Sequence, residues 1–238
     1  MTSLWNLRGL NLFAGLDRHE IDEILGIVTT QGFEPGSYVF RPGDPRDQLY
    51  LLHHGQVKTY VLSQEGYEKI MHIFLPGDAF GDLLLPTTNE DLPWAQALDD
   101  VVVSWVDEPA FERLIQMFPE LCMNLFRHIA THHTVDMRRI ESLIHTKASH
   151  RLVQTLLLLG DRLGQGGADR FELDPGLTHE DLANLIGVSR PTVSASISRL
   201  RRQGVLHGQG RCLIIHRQVA EGYLRGDWPG EPAEASNA

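Results

Sequence analysis

The sequence predicts an α+β protein with three parts. These are an N-terminal antiparallel β-roll or jelly-roll barrel, a long helix suited to dimerisation, and a C-terminal winged helix-turn-helix. Three observations predict it. From Phe33 to Val106, short apolar runs alternate with turns rich in glycine and proline, as antiparallel barrels do when turns recur every ~8–12 residues. From Pro119 to about His145, no glycine interrupts a helical pattern. Residues 177–206 read LTHEDLANLIGVSRPTVSASISRLRRQGVL, a capped helix, a glycine turn and a second capped helix.

Leu12, Phe13, Leu16, Ile21, Ile24, Leu25 and Val28 recur at helical spacing, so residues 10–28 read as short helices. Strands are expected at Ser37–Phe40, Gln48–His53, Val57–Leu62, Lys69–Phe74 and Val101–Val106. Glu34-Pro35-Gly36, Pro42-Gly43-Asp44-Pro45, His54-Gly55, Gln64-Glu65-Gly66 and Pro76-Gly77-Asp78 punctuate them. Helix is expected from Pro109 to about His145, with Pro119 in the first turn of its long final part. Leu121, Leu125, Ile129, His132 and Val135 form a stripe there, and Ile140, Leu143 and Ile144 continue its apolar character. A helix of roughly 25 residues exceeds what a core element needs and suits a dimer seam. Leu121, Leu125, Ile129, His132 and Ile140 are therefore the expected dimerisation residues; packing on the chain's own barrel is the alternative. Lys147–His150 reads as a hinge, Arg151–Leu163 as helix, Gly164–Gly167 as loop and Phe171–Leu173 as a short strand. The expected domains are residues 1–118 (effector barrel), 119–146 (long helix) and 147–225 (winged domain), with a frayed tail over 226–238.

Composition narrows the class. The chain has 238 residues, 42% hydrophobic and 22% charged, ordinary for a folded domain pair. No apolar run is long enough for a membrane helix, and Arg8 breaks the one candidate for a signal peptide. Cys122 and Cys212 stand far apart, which excludes a disulfide framework and a four-cysteine metal site within one chain; Cys122 reads as a small packed residue. A cytoplasmic location is expected. The net charge of −10 argues against generic polyanion binding, but it is unevenly spread. Residues 1–118 hold 18 acidic and 7 basic side chains, residues 119–238 hold 13 and 14, and between Leu182 and Ala220 lie six arginines and no acid. A basic window on an acidic chain is the footprint of local phosphate contact.

That window coincides with the two capped helices. Thr178 with Asp181 approaches a capping box, and Ala183 is small where the second helix crosses. Gly187 suits a turn of positive φ. Ser189 is an N-cap and Pro191 falls in the first turn, while Val193, Ile197 and Leu200 supply the buried stripe. The second helix exposes Arg190, Ser194, Ala195, Ser198 and Arg199, and its N-terminal end would enter a major groove. Arg190 can offer a bidentate fork to guanine or to phosphate, whereas Arg201 and Arg202 suit phosphate anchoring. Val205-Leu206 and Leu213–Ile215 flank a hairpin with Arg211 near its tip. The expected DNA-contacting residues are Thr178, Ser189, Arg190, Thr192, Ser194, Ser198, Arg199, Arg201, Arg202 and Arg211.

In this order of parts, and in the segments GLDRHEIDEI, FRPGDPRDQLYLLHHGQVKTY, LPGDAFGDLLL and SRPTVSASISRLRRQGVL, the chain resembles the CRP/FNR family of bacterial transcription regulators over about residues 10–220. Gly43, Tyr50, Gly55, Val57, Gly77, Asp78, Phe80 and Gly81 sit at spacings characteristic of the cyclic-nucleotide fold. The resemblance implies a homodimer on two-fold symmetric double-stranded DNA, contact with RNA polymerase, and an effector cassette at Phe80, Gly81, Asp82 and Leu83. In cyclic-AMP-responsive members that cassette reads Phe-Gly-Glu, the glutamate holds the ribose, and an arginine further on holds the phosphate. Here Asp82 replaces the glutamate and no arginine lies between Asp82 and Arg113. A buried phosphate without its cation is costly, so no resident cofactor is expected, although a cyclic nucleotide stays open. Pro191 and Ala195 stand where the family usually has a polar residue and an arginine, which shifts weight from direct contacts toward DNA deformability.

Twelve histidines invite other chemistry. His128 and His132, four apart on the long helix, could share a metal, but no carboxylate or cysteine completes a set in the sequence, and polar helix surface is the expectation. Haem, with His72 or His132 as axial ligand, stays open as the family's gas-sensing variant. An enzyme is not expected: no His-x-His pair, nucleophile elbow or phosphate-loop lysine occurs. An effector-binding adaptor that has lost DNA binding is the remaining alternative.

Overall fold

The computed structural model describes residues 12–44, 47–81, 83, 93–167, 169–174, 176–208 and 212–227. The chain forms two compact units that divide after Met137.

In the first unit, Asp17 opens α1 (Arg18–Ile27). Its carboxylate accepts the Glu20 N–H at 2.9 Å, and the Glu20 carboxylate accepts the Asp17 N–H at 2.7 Å, which satisfies two orphan donors reciprocally. The strands that follow are β1 (Thr29–Phe33), β2 (Tyr38–Phe40), β3 (Gln48–His54), β4 (Val57–Leu62), β5 (Glu68–Phe74), β6 (Ala79–Gly81), β7 (Trp94–Ala97) and β8 (Val101–Asp107). They make two antiparallel four-stranded sheets, ordered β1-β8-β3-β6 and β2-β7-β4-β5. Strand residues of both sheets, among them Leu52, Val57, Ala95 and Val103, close one core. Tyr50, Phe80 and Phe74 stack through it with centroid separations of 5.3 and 4.8 Å. Strands β1, β6 and β7 were not among those expected from sequence. β1 is exposed along most of its length, so it lacks the alternation that betrays a half-buried strand.

The helical pattern beginning at Pro109 divides into α2 (Glu108–Met117) and α3 (Pro119–His145). Asp107 caps α2 by accepting the Ala110 N–H at 2.9 Å. Phe118 leaves helical geometry at φ −129°, because the residue before a proline is pushed toward extended backbone. Leu12, Ile24, Val106, Leu114, Phe118, Leu121 and Leu125 form a second core where these helices meet β8.

In the second unit the link after α3 is shorter than the expected hinge. Lys147 is the N-cap of α4 (Ala148–Leu163), so helix begins inside the stretch 147–150. Then come β9 (Gln165–Gly166), β10 (Arg170–Leu173), α5 (His179–Ile186), α6 (Arg190–Arg202), β11 (Leu206–His207), β12 (Leu213–His216) and α7 (Arg217–Arg225). The strands form one antiparallel sheet, β11-β12-β10-β9; β9 lies in the segment expected to be loop. Leu152, Leu156, Leu182, Ile197, Leu200 and Leu206 are 3% exposed or less, each worth roughly 1.5–3 kcal/mol of burial. Of the expected tail, residues 228–238 lie outside the described residues.

Candidate nucleic-acid interface

The α5–α6 pair is fixed by its caps. Thr178 Oγ1 accepts the Asp181 N–H at 3.1 Å, and Asp181 Oδ2 accepts from the Thr178 N–H at 3.0 Å and the Thr178 hydroxyl at 2.6 Å. The Thr178 hydroxyl is thus committed to the cap. Gly187 ends α5 at φ 68°, ψ 47°, the left-handed conformation that glycine adopts without a Cβ clash. Ser189 then caps α6, accepting the Thr192 N–H at 3.4 Å. Ala183 is fully buried at the helix crossing. The carbonyls at the end of α5 are claimed by two arginines: Arg139 donates to Leu185 O at 2.6 Å, and Arg151 donates to Ile186 O at 3.0 Å and to Thr146 O at 2.6 Å. Sequence reading missed both; a long cationic side chain near a helix carries no local signal of which distant carbonyl it will reach.

Arg190, Pro191, Thr192, Ala195, Ser198, Arg199 and Arg202 are exposed; Pro191, Ala195, Ser198 and Arg202 recur at steps of four, three and four, so they share one face of α6, with Arg190 at its N-terminal end. Ser194 is half-buried, within 2.9 Å of His179 Nδ1; it ties the helices together. Arg201 is half-buried too. The wing strands β11 and β12 pair antiparallel, Leu206 opposite Ile215, while Arg211 lies outside the described residues.

In the cassette, Phe80 is 5% exposed and belongs to the aromatic stack of the barrel. Gly81 has φ 131°, and a Cβ there would collide with the Gln48 carbonyl oxygen, so the close approach of β3 demands glycine. The Leu83 N–H reaches Gln48 O at 3.4 Å, and Asp82 lies outside the described residues.

Residues 30–118 match the cyclic nucleotide-binding domain family, and residues 150–219 match the Crp-like helix-turn-helix domain family. The chain belongs to the CRP/FNR family. It is a DNA-binding transcription regulator of that type. It is 29% identical over 206 residues to the CRP-like cAMP-activated global transcriptional regulator of Mycobacterium tuberculosis, covering 86% of this chain and 91% of that one. It is 28% identical over 207 residues to the anaerobic regulatory protein of Pasteurella multocida, covering 86% and 75%. A solved CRP/FNR-family transcriptional regulator from Thermus thermophilus superposes with a TM-score of 0.68 at 26% identity, over 83% of this chain and 98% of that one.

In this CRP/FNR regulator the expected dimerisation stripe divides. Leu121 and Leu125 are buried against α1, α2 and β8 of their own chain, so they correct to core residues. His132 faces the barrel, its Nε2 3.4 Å from Asp78 Oδ1. Ile129 and Ile140 are exposed, as are Phe126, Met137 and Ile144; with exposed His133 they repeat at three- and four-residue steps, the pattern of a helix–helix seam. Cys122, expected to be packed, is exposed. The His128–His132 pair is not polar helix surface either: His128 is 2% exposed. No helix among the described residues is long and apolar enough to cross a membrane.

Proposed function

We propose that this regulator acts in the cytoplasm as a homodimer joined along the exposed stripe of α3, its two α6 helices reading a two-fold symmetric DNA site one duplex turn apart. The carrying observation is the exposed face of α6, with Arg190 at its N-terminal end and Ser198, Arg199 and Arg202 beyond, in a stretch holding no acid from Leu182 to Ala220. Arg190 is the foremost base or phosphate contact, and Thr192, Ser198, Arg199 and Arg202 extend it. Ser189, Ser194 and Thr178 position the helices, and Arg211, which falls between β11 and β12 in the sequence, is a further duplex contact. Residues 1–118 form the sensing barrel, 119–146 the dimer spine and 147–225 the reading head. RNA polymerase is the protein partner, and the chain performs no catalysis of its own; its relatives are transcription regulators.

The barrel works without a cyclic nucleotide. No arginine is present between Asp82 and Arg113 to meet a phosphate, and Tyr50, Phe74 and Phe80 fill the space between the sheets with stacked rings. Haem is likewise excluded from this reading, because His132 and His72 are drawn to Asp78 and Asp136, at 3.4 and 3.6 Å. The Arg139 and Arg151 contacts supply a route for control: a shift at the end of α3 pulls on the carbonyls that close α5, two states of one packed element.

The test is affinity selection of genomic DNA fragments on purified protein at stated salt, with and without cyclic AMP. Enrichment of a two-fold symmetric sequence without nucleotide is expected. Enrichment only with cyclic AMP overturns the nucleotide-free reading, and enrichment in neither condition favours an adaptor.

A further inference from the structure

We propose that Asp78, His128 and His132 form a binding site for a divalent transition-metal ion of the Zn²⁺ type, and that its loading modulates the regulator. The second clause rests on the function proposed above; the first does not. One ligand atom from each of the three residues lies within 4.8 Å of the others. His132 Nε2 and Asp78 Oδ1 stand 3.4 Å apart, and bonds of about 2.1 Å in a tetrahedral zinc site place neighbouring ligand atoms about 3.4 Å apart. Two imidazoles and one carboxylate are a donor set for zinc or ferrous iron, not for calcium or magnesium.

The chain builds this set from two elements. His128 and His132 are four residues apart, so α3 presents both imidazoles on one face, as metal-binding helices with two histidines at that spacing do. Asp78 comes from the Leu75–Asp78 turn ahead of β6, and this is the carboxylate whose apparent absence argued against a metal in the sequence.

The surroundings are those that orient ligands. Asp78 Oδ2 accepts the Leu75 N–H at 2.8 Å, while Oδ1 faces His132. His128 Nε2 accepts the Ala79 N–H at 3.0 Å and lies 3.2 Å from Ala79 O. Binding an ion through Nδ1 requires the other tautomer, in which Nε2 gives up that bond and donates to the Ala79 carbonyl, the outer-shell arrangement of a metal-binding histidine. Asp78 and His128 are 1% and 2% exposed, and Phe74 lies 6.2 Å from the His132 ring, so the site is dry on one side. The His132 side chain is 26% exposed, which gives an ion an entry path and a position for water. A direct His132–Asp78 hydrogen bond, with His128 bonded to the Ala79 backbone, is the metal-free alternative, and metal titration separates the two. An ion held here staples the turn leading into Gly81 and Leu83 to the helix that carries the dimer stripe.

The test uses the full chain stripped with a chelator, then titrated with Zn²⁺ by calorimetry and with Co²⁺ by visible absorption. One ion per chain and Co²⁺ ligand-field bands of a four-coordinate N/O site are expected. His132→Gln and Asp78→Asn should each lower affinity at least about tenfold. His132→Gln is the safer variant because its site is partly exposed, and its melting curve in chelator should match that of the parent. Failure to bind an ion, or unchanged affinity in both variants, overturns the site. DNA affinity is then measured on the selected sequence with Zn²⁺ and with chelator. A several-fold difference that His132→Gln abolishes is expected, and bound zinc with unchanged DNA affinity overturns the regulatory role. A parent protein that takes up zinc but binds no DNA in either condition refutes the reading-head function and leaves the metal site standing.

Discussion

Arg190 sits where the physics of DNA recognition concentrates. It begins α6, whose first N–H groups lack helical acceptors and so attract phosphate. It is followed by Pro191, which gives up no hydrogen bond at that position. Arg190→Ala should weaken binding to the preferred site by about 1–3 kcal/mol and relax preference at one base pair. An equal loss on all sequences, with a salt slope smaller by about one, marks a phosphate contact instead. A second residue-scale prediction concerns His53, whose Nε2 lies 2.7 Å from Ser104 Oγ and whose pKa burial pushes below the ordinary imidazole value. The unfolded chain therefore takes up the proton first. Stability is flat above about pH 6.5, the unfolded value, and falls as pH drops from there toward the folded value. His150 is shifted the same way by burial, with Lys147 and Arg199 adding to it. Melting temperature should fall between about pH 7 and pH 5, and His53→Gln should shrink that fall; an identical profile in the variant refutes the assignment.

At the scale of elements, the α5–α6 turn is the sharpest test. Gly187 has positive φ, and a Cβ there would lie 3.1 Å from Leu143 Cδ2. Gly187→Ala should cost about 1–2 kcal/mol of stability, read by denaturant unfolding, and a neutral result would mean that the turn relaxes. This pair of helices was legible in the sequence because every signal in it is local: the Thr178 and Ser189 caps, the glycine, and the Val193, Ile197, Leu200 stripe. The α3 seam was not. Periodicity marks Leu121 and Leu125 as apolar on one stripe, yet it cannot say that α1, α2 and β8 cover them while Phe126 and Ile129 stay open. The Asp78 carboxylate was invisible for a different reason. It belongs to a turn whose sequence reads as punctuation, and only the pairing of β6 with β3 brings it under His128 and His132.

For the whole molecule, the open stripe of α3 makes dimerisation the measurable property. Ile129→Asp combined with Ile140→Asp should give a monomer by analytical ultracentrifugation. It should also lose DNA affinity by roughly 10²–10⁴, since a symmetric site then engages one reading head at a time. A variant that remains dimeric places the seam elsewhere. The arginine clasp on α5 carries a further consequence, for dissection of the protein. Arg139 lies upstream of the short link at Thr146–Lys147 but serves the second unit. A reading head excised at the link would retain α5, α6 and the whole wing sheet, yet would lose one of the two guanidiniums that close α5. Chimaeras that exchange heads between family members should therefore be joined ahead of Arg138, so that each head travels with its own latch.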